Sequence, residues 1–165
     1  MVKQDTAMAA ALILKKHSCT IAIAESCTGG EISASLTAIP GASMYFLGAC
    51  VAYSNEIKTR ILKIDSRLLK KEGAVSNSTA LGMAKNIRRM YRSHFGLSVT
   101  GIAGPKGAEP SKPVGTVFIG LAWKGGHVVE KHRFSGSRES VRAKSANAAL
   151  FLLRNAVAHQ FKSKG

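Results

Sequence analysis

The sequence predicts α/β layers around a mixed sheet, and three observations carry that reading. Short apolar runs alternate with amphipathic segments from Thr6 to Gly101. Two strand-like runs, Val114–Trp123 and Val128–Phe134, then flank Lys124-Gly-Gly-His127, the spacing of an antiparallel hairpin. Finally, Ser137 stands as the cap of a long last helix, with Val141, Ala148, Leu152 and Val157 among its apolar positions. No internal repeat or linker divides the 165 residues, so one domain over residues 1–165 is expected.

Each element has its own local reason. Residues Thr6–Lys16 place Ala9, Leu12 and Ile13 on one helical face. Thr20–Ala24 is a nearly continuous apolar run of the kind that forms a buried strand. Glu25-Ser-Cys-Thr-Gly-Gly30 turns the chain, and Thr28 with Glu31 fits the T-x-x-E capping box of a helix running to about Ala38. Phe46–Tyr53 reads as a second strand, followed by helical pieces and a basic helix over Ser78–Ser93. Leu97–Thr100 reads as a third strand feeding Gly101-Ile-Ala-Gly-Pro-Lys-Gly107. Three of the four prolines fall between there and Pro113, which predicts a mobile loop.

Composition narrows the function classes. Hydrophobic residues at 45% and charged residues at 20% exclude a disordered chain. No apolar run approaches the roughly 18 residues of a membrane span, and no secretory signal is visible, so no membrane association is expected. The three cysteines show no CxxC pairing and the five histidines no HExxH spacing, so neither a disulfide framework nor a metal site is indicated. A reducing, cytoplasmic setting and no cofactor are the expectations.

Lys and Arg number 24 against nine Asp and Glu, a formal net charge of 24 − 9 = +15. In the basic helix Lys85, Arg88, Arg89 and Arg92 form one stripe, with Met83, Ala84, Ile87, Met90 and Tyr91 assigned to the core. Aromatic content of 6% and the absence of a base-stacking motif make this a solvated face rather than a nucleic-acid surface. The charge still favours encounter with small anions.

In open α/β sheets, ligands bind beyond the carboxyl ends of strands. Glu25–Gly30, Tyr53–Lys58 and Thr100–Gly107 all hold that position. Ser26 is a candidate nucleophile. Amides near Gly29 and Gly30 are candidates for cradling a phosphate or an oxyanion. On the other reading, Ser26 and Thr28 only cap a helix. Lys58 can act as a base if desolvation strips its proton, with Tyr53 relaying a proton or holding substrate; the alternative is a surface lysine and a packed tyrosine. Cys27 is a rival nucleophile if a helix N-terminus lowers its pKa. Arg138 and Arg142, four apart, suit a phosphate clamp or two solvated arginines.

Five motifs together resemble the CinA C-terminal domain family, over about Ala9 to Val157. They are Glu25-Ser-Cys-Thr-Gly-Gly30, Tyr53-Ser-Asn-Glu-Ile-Lys58, Gly73-Ala-Val-Ser76, Thr100-Gly-Ile-Ala-Gly-Pro105 and Pro113-Val-Gly-Thr-Val117. The resemblance is to the stand-alone form of that domain. It implies a three-layer α/β/α sandwich with a mixed, mostly parallel sheet. It also implies a nicotinamide-nucleotide amidase, which deamidates nicotinamide mononucleotide to nicotinate mononucleotide and ammonia in pyridine nucleotide salvage. No metal is implied, and a homo-oligomer, dimer or larger, is. Ser26, Ser43, Tyr53, Lys58 and Thr100 fall on positions associated with the family's active site. Thr28, Gly29, Gly30, Thr100, Gly101, Gly104, Arg138 and Arg142 are the expected substrate-binding set. Two serines with a lysine resemble the Ser-Ser-Lys logic of another amidase class, with Ser26 or Ser43 attacking and Lys58 as base. The alternative is a non-catalytic nucleotide- or nucleic-acid-binding module using the same loops and basic helix.

Overall fold

A computed structural model of the protein describes residues 2–162. In chain order the elements are α1 (Gln4–Lys16), β1 (Ile21–Glu25), α2 (Glu31–Thr37), β2 (Phe46–Val51), α3 (Asn55–Arg60), α4 (Ser66–Glu72) and α5 (Asn77–Tyr91). They continue with β3 (Phe95–Gly101), β4 (Thr116–Trp123), β5 (Gly126–Arg133) and α6 (Arg138–Lys162). A single 3-10 turn, Ala42–Met44, precedes β2.

The five strands form one open sheet in the order β2-β1-β3-β4-β5. β1 pairs in parallel with both β2 and β3, whereas β4 runs antiparallel to β3 and to β5. Four strands therefore share a direction and β4 opposes them, giving the mixed, mostly parallel α/β sheet. Trp123 pairs with Gly126 across the hairpin, so the turn is Lys124-Gly125, with Gly125 at φ 86°. That conformation favours glycine.

Side-chain alternation along the strands sets the layers. Ile21 and Ile23 of β1, Phe95, Leu97 and Val99 of β3, and Val117, Ile119 and Leu121 of β4 join one cluster with α1, α2 and α6. Ala22 and Ala24 point the other way, into a smaller cluster with Leu69 of α4 and Met83 and Ile87 of α5. Small residues on this second face let α5 approach closely. A Cβ on Gly96 would collide with the Ala84 carbonyl oxygen, and one on Gly120 would crowd that of Ala80. Ser98 Oγ instead donates to the Ala80 carbonyl at 2.6 Å. The result is the α/β/α sandwich.

Three local expectations need correction. The start of α2 is not a Thr28–Glu31 capping box: its N-cap is Gly30, at φ 97°, with no side-chain cap from that residue. The Glu25 carboxylate does the capping instead, accepting from the amides of Gly30, Ile32 and Ser33 and from Ser33 Oγ, at 3.0, 3.2, 2.9 and 2.6 Å. Met90 is not a core residue but 47% exposed, one residue before α5 ends. Residues 102–115 lack regular structure yet are tied down. Ile102 N–H donates to Thr116 O, Gly115 N–H to Ile102 O, and Lys112 Nζ to Glu72 O at 2.8 Å.

Candidate active site

The carboxyl ends of the three parallel strands are level, since Glu25 pairs with Val51 on one side and with Val99 on the other. The chain leaves β1 toward α2 on one face of the sheet and returns to β3 through α3, α4 and α5 on the other. A crevice opens at that switch point. Its cavity, about 200 Å³, is lined by Ser26, Cys27, Tyr53, Asn55, Lys58, Ala74, Val75, Thr100, Gly101, Ala103 and Arg138.

Ser26 follows β1 directly, and its N–H donates to Val99 O, so its backbone is fixed between two strands. Lys58 is held by α3, whose start Ser54 caps by accepting the Ile57 amide at 3.1 Å. Its side chain is 2% exposed. Lys58 Nζ lies 3.0 Å from Ser26 Oγ, 2.7 Å from the Ala52 carbonyl and 3.4 Å from the Tyr53 carbonyl. Burial holds its amine below the usual lysine range; thiolate charge at Cys27 or Cys50 acts in the opposite direction. Nζ is thus held among three oxygens, and the Ser26 hydroxyl is the one side-chain group among them.

The Cys27 thiol is pushed up to about 12, chiefly by burial, so it is protonated at neutral pH. It is therefore not the activated nucleophile that a helix start suggests. Thr100 is buried and its hydroxyl donates to the Ala74 carbonyl at 2.8 Å, tying the Gly73–Ser76 turn to β3. Arg138 bridges the mouth, donating to the Gly104 carbonyl at 2.7 Å and to the Tyr53 hydroxyl at 2.7 Å.

The structure thus brings Ser26, Tyr53, Lys58, Thr100, Gly101 and Arg138 around one cavity, with Gly104 held beside it through Arg138. It does not bring Ser43 there. Ser43 is exposed in the 3-10 turn before β2, at the opposite end of a six-residue strand, roughly 20 Å away at ~3.3 Å per residue. A Ser-Ser-Lys relay through Ser43 is not assembled within one chain. Arg142 does not line the cavity either. Its guanidinium donates to the Thr28 carbonyl at 2.8 Å and lies 3.8 Å from Glu31, behind Gly29.

Gly29 and Gly30 do not offer free amides: Gly29 N–H donates to Ser26 O and Gly30 N–H to Glu25. Thr28 is fully buried and, among the described residues, its hydroxyl has no hydrogen-bond partner. Sequence reasoning missed Asn55, Ala74, Val75 and Ala103 as lining residues, and Glu25 as the group that orders the Ser26 turn. The signal for Glu25 was present, a carboxylate closing an otherwise apolar strand just before a helix start.

A larger, open groove of about 640 Å³ lies elsewhere, lined by residues that include Lys3, Glu130, His132 and Phe151. His132 and Glu130 pair there at 2.8 Å, but no serine or cysteine adjoins them. The small crevice, not this groove, holds the Ser26–Lys58 pair. Among the described residues no three His, Cys, Asp or Glu side chains are grouped to hold a metal ion, and no helix is long and apolar enough to cross a membrane.

Fold and crevice define an open α/β domain with a buried serine–lysine pair at its switch point. The chain belongs to the CinA family: residues 3–157 match the CinA C-terminal domain. It is 49% identical over 144 residues to a CinA-like protein of Citrifermentans bemidjiense, covering 87% of this chain and 35% of that protein. It is 48% identical to a CinA-like protein of Dictyoglomus thermophilum, covering 86% of this chain and 34% of that one. The chain thus spans about a third of the length of these relatives. The crystal structure of the competence damage-inducible protein A from Klebsiella pneumoniae superposes with a TM-score of 0.92 at 29% identity, covering 96% of this chain and 99% of that one. A competence/damage inducible protein from Agrobacterium tumefaciens gives a TM-score of 0.91 at 32% identity, covering 96% and 98%.

Proposed function

We propose that this protein is an amidohydrolase that deamidates nicotinamide mononucleotide, using Ser26 as nucleophile and Lys58 as base. The observation that carries the reading is the buried contact of 3.0 Å between Ser26 Oγ and Lys58 Nζ. A lysine held nearly out of water against a hydroxyl is costly for a fold and useful for acyl transfer. A binding module has no need of it. The choice of this substrate rests on the resemblance to the CinA C-terminal domain family.

In the reaction, Ser26 Oγ attacks the carboxamide carbon while its proton passes to neutral Lys58. The lysine ammonium then protonates the departing nitrogen, and ammonia leaves an ester on Ser26. Water attacks that ester, Lys58 accepts its proton and returns it to Ser26, and nicotinate mononucleotide is released. The amides of Cys27 and Thr28, which follow Ser26 directly in the chain, are the candidate oxyanion donors. The cavity of about 200 Å³ is below the usual range for a whole drug-sized ligand. It takes the reacting head, and the 5′-phosphate stays at the mouth, where Arg138 supplies the cation.

The test is to incubate the protein with nicotinamide mononucleotide and measure ammonia and nicotinate mononucleotide together. Equal release of both is expected. Nucleotide binding without either product would favour the non-catalytic reading. Arg138→Ala should raise KM about tenfold or more, as expected when a charge-assisted bond of ~1.5–3 kcal/mol is lost, and should alter kcat much less. An unchanged KM would remove Arg138 from phosphate recognition.

A further inference from the structure

Ala74 and Val75 line the crevice from a turn that begins at Gly73, the residue that ends α4. Three parts of the fold hold this turn. At the start of α5 the hydroxyls of Ser76 and Thr79 donate to the Gly73 carbonyl at 3.2 and 2.8 Å. From β3, Thr100 donates to the Ala74 carbonyl. The third contact comes from 40 residues further along the chain, where Lys112 Nζ donates to the Glu72 carbonyl at 2.8 Å. That ammonium stands directly over Gly73, since a Cβ there would lie 3.1 Å from Nζ. The place suits a cation, because the last carbonyls of a helix lack partners within it and carry partial negative charge.

The loop that carries Lys112 is otherwise exposed: residues 105–111 all face solvent, yet the Lys112 side chain is only 18% exposed. Glu109 and Lys112 exchange backbone hydrogen bonds at 3.0 and 2.9 Å, which closes a small turn behind the side chain. At its other end the loop is held by Arg138 through the Gly104 carbonyl. One irregular segment is therefore pinned at two points, to α6 and to the end of α4.

We infer that Lys112 is a positioning residue for substrate binding: by pinning the loop to the end of α4, it fixes where the Ala74–Val75 wall of the crevice stands. Its partners, Glu72 and Glu109, are not lining residues, and Ser26 and Lys58 are carried by β1 and α3. The effect therefore falls on how the nucleotide is held and not on the chemical step. The bond to Glu72 O does the work. The ion pair to Glu109, at 3.4 Å with that carboxylate 54% exposed, is secondary.

Because this role rests on the amidase reading, nucleotide binding and a ligand-free property are measured beside turnover. In Lys112→Met the KM for nicotinamide mononucleotide, and its Kd by calorimetry, should rise about tenfold while kcat stays within about twofold. Lys112→Arg, which can reach the same carbonyl, should restore both. Glu109→Gln, which keeps the bond from Lys112 to Glu72, should change neither. Without ligand, Lys112→Met should speed amide hydrogen exchange at Gly73 and Thr79, whose N–H groups are bonded at either end of the turn, and leave β1 unchanged. Should Lys112→Met not fold, Lys112→Gln, one atom shorter and uncharged, takes its place. Unchanged KM and Kd, a fall confined to kcat, or a Lys112→Arg variant no better than the Met variant overturns the proposal. So does unchanged exchange at Gly73 and Thr79, whatever the substrate. Binding of the nucleotide without wild-type turnover sinks the amidase reading alone, and the Kd series then decides the role of Lys112.

Discussion

Lys58→Met should lower turnover of nicotinamide mononucleotide by at least 10²–10⁴-fold, about the contribution of a positioned general base, while leaving the fold intact. The same substitution should not lower thermal stability at neutral pH, since a buried amine with a depressed pKa is a liability to the fold. The sign follows from linkage. The unfolded chain holds the Lys58 proton more tightly than the folded chain, so wild-type stability rises with pH between the lowered folded pKa and the ordinary lysine value. Below that window the whole penalty is present, and above it the penalty is gone. The stability advantage of Lys58→Met should therefore shrink as pH rises, while wild-type kcat/KM climbs as the amine loses its proton. A Met variant that keeps its turnover, or a gap that widens with pH, contradicts the assignment.

Glu25→Ala should be the most destabilising single change near the site. The carboxylate is fully buried and accepts four hydrogen bonds from the first turn of α2. Removing it leaves three backbone donors and one hydroxyl without their partner, at about 1–3 kcal/mol for each buried group left unpaired, partly offset where water enters. A loss of about 3–5 kcal/mol is expected, read as a large drop in the denaturant midpoint with little change in slope. Because those bonds also fix the turn that carries Ser26, turnover should fall even below the unfolding transition. A loss of under about 1 kcal/mol would mean that Glu25 is an ordinary cap.

Much of this architecture is legible in the sequence because local chemistry and tertiary position agree. The apolar run at Thr20–Ala24, the hairpin signal at Lys124-Gly-Gly-His127 and the cap at Ser137 all lie on elements that form. The capping box fails because Thr28 and Glu31 satisfy a spacing rule while Glu25, six residues before Glu31, satisfies the donors. Spacing along the chain cannot show which carboxylate folds back. Met90 fails for a related reason, since periodicity gives a face of α5 but not which residues of its last turn the fold covers.

The site divides in the same way. Ser26, Tyr53 and Lys58 follow strands whose ends are level, and Thr100 lies at the end of β3, so position in the motif becomes position in space. Ser43 precedes its strand, which sends it to the other end of the sheet. Arg138 and Arg142 share a helix face, yet the first spans the cavity mouth and the second is committed to Thr28 O. Spacing alone does not separate the two.

The central claim is that Ser26 carries the acyl group. Intact-mass and peptide analysis of protein quenched during turnover of nicotinamide mononucleotide tests it most directly. The account predicts a nicotinate-mononucleotide ester on Ser26, lost on hydroxylamine treatment and absent from Ser26→Ala, which should release no ammonia. Full turnover by Ser26→Ala, or an adduct on Cys27 instead, would contradict it.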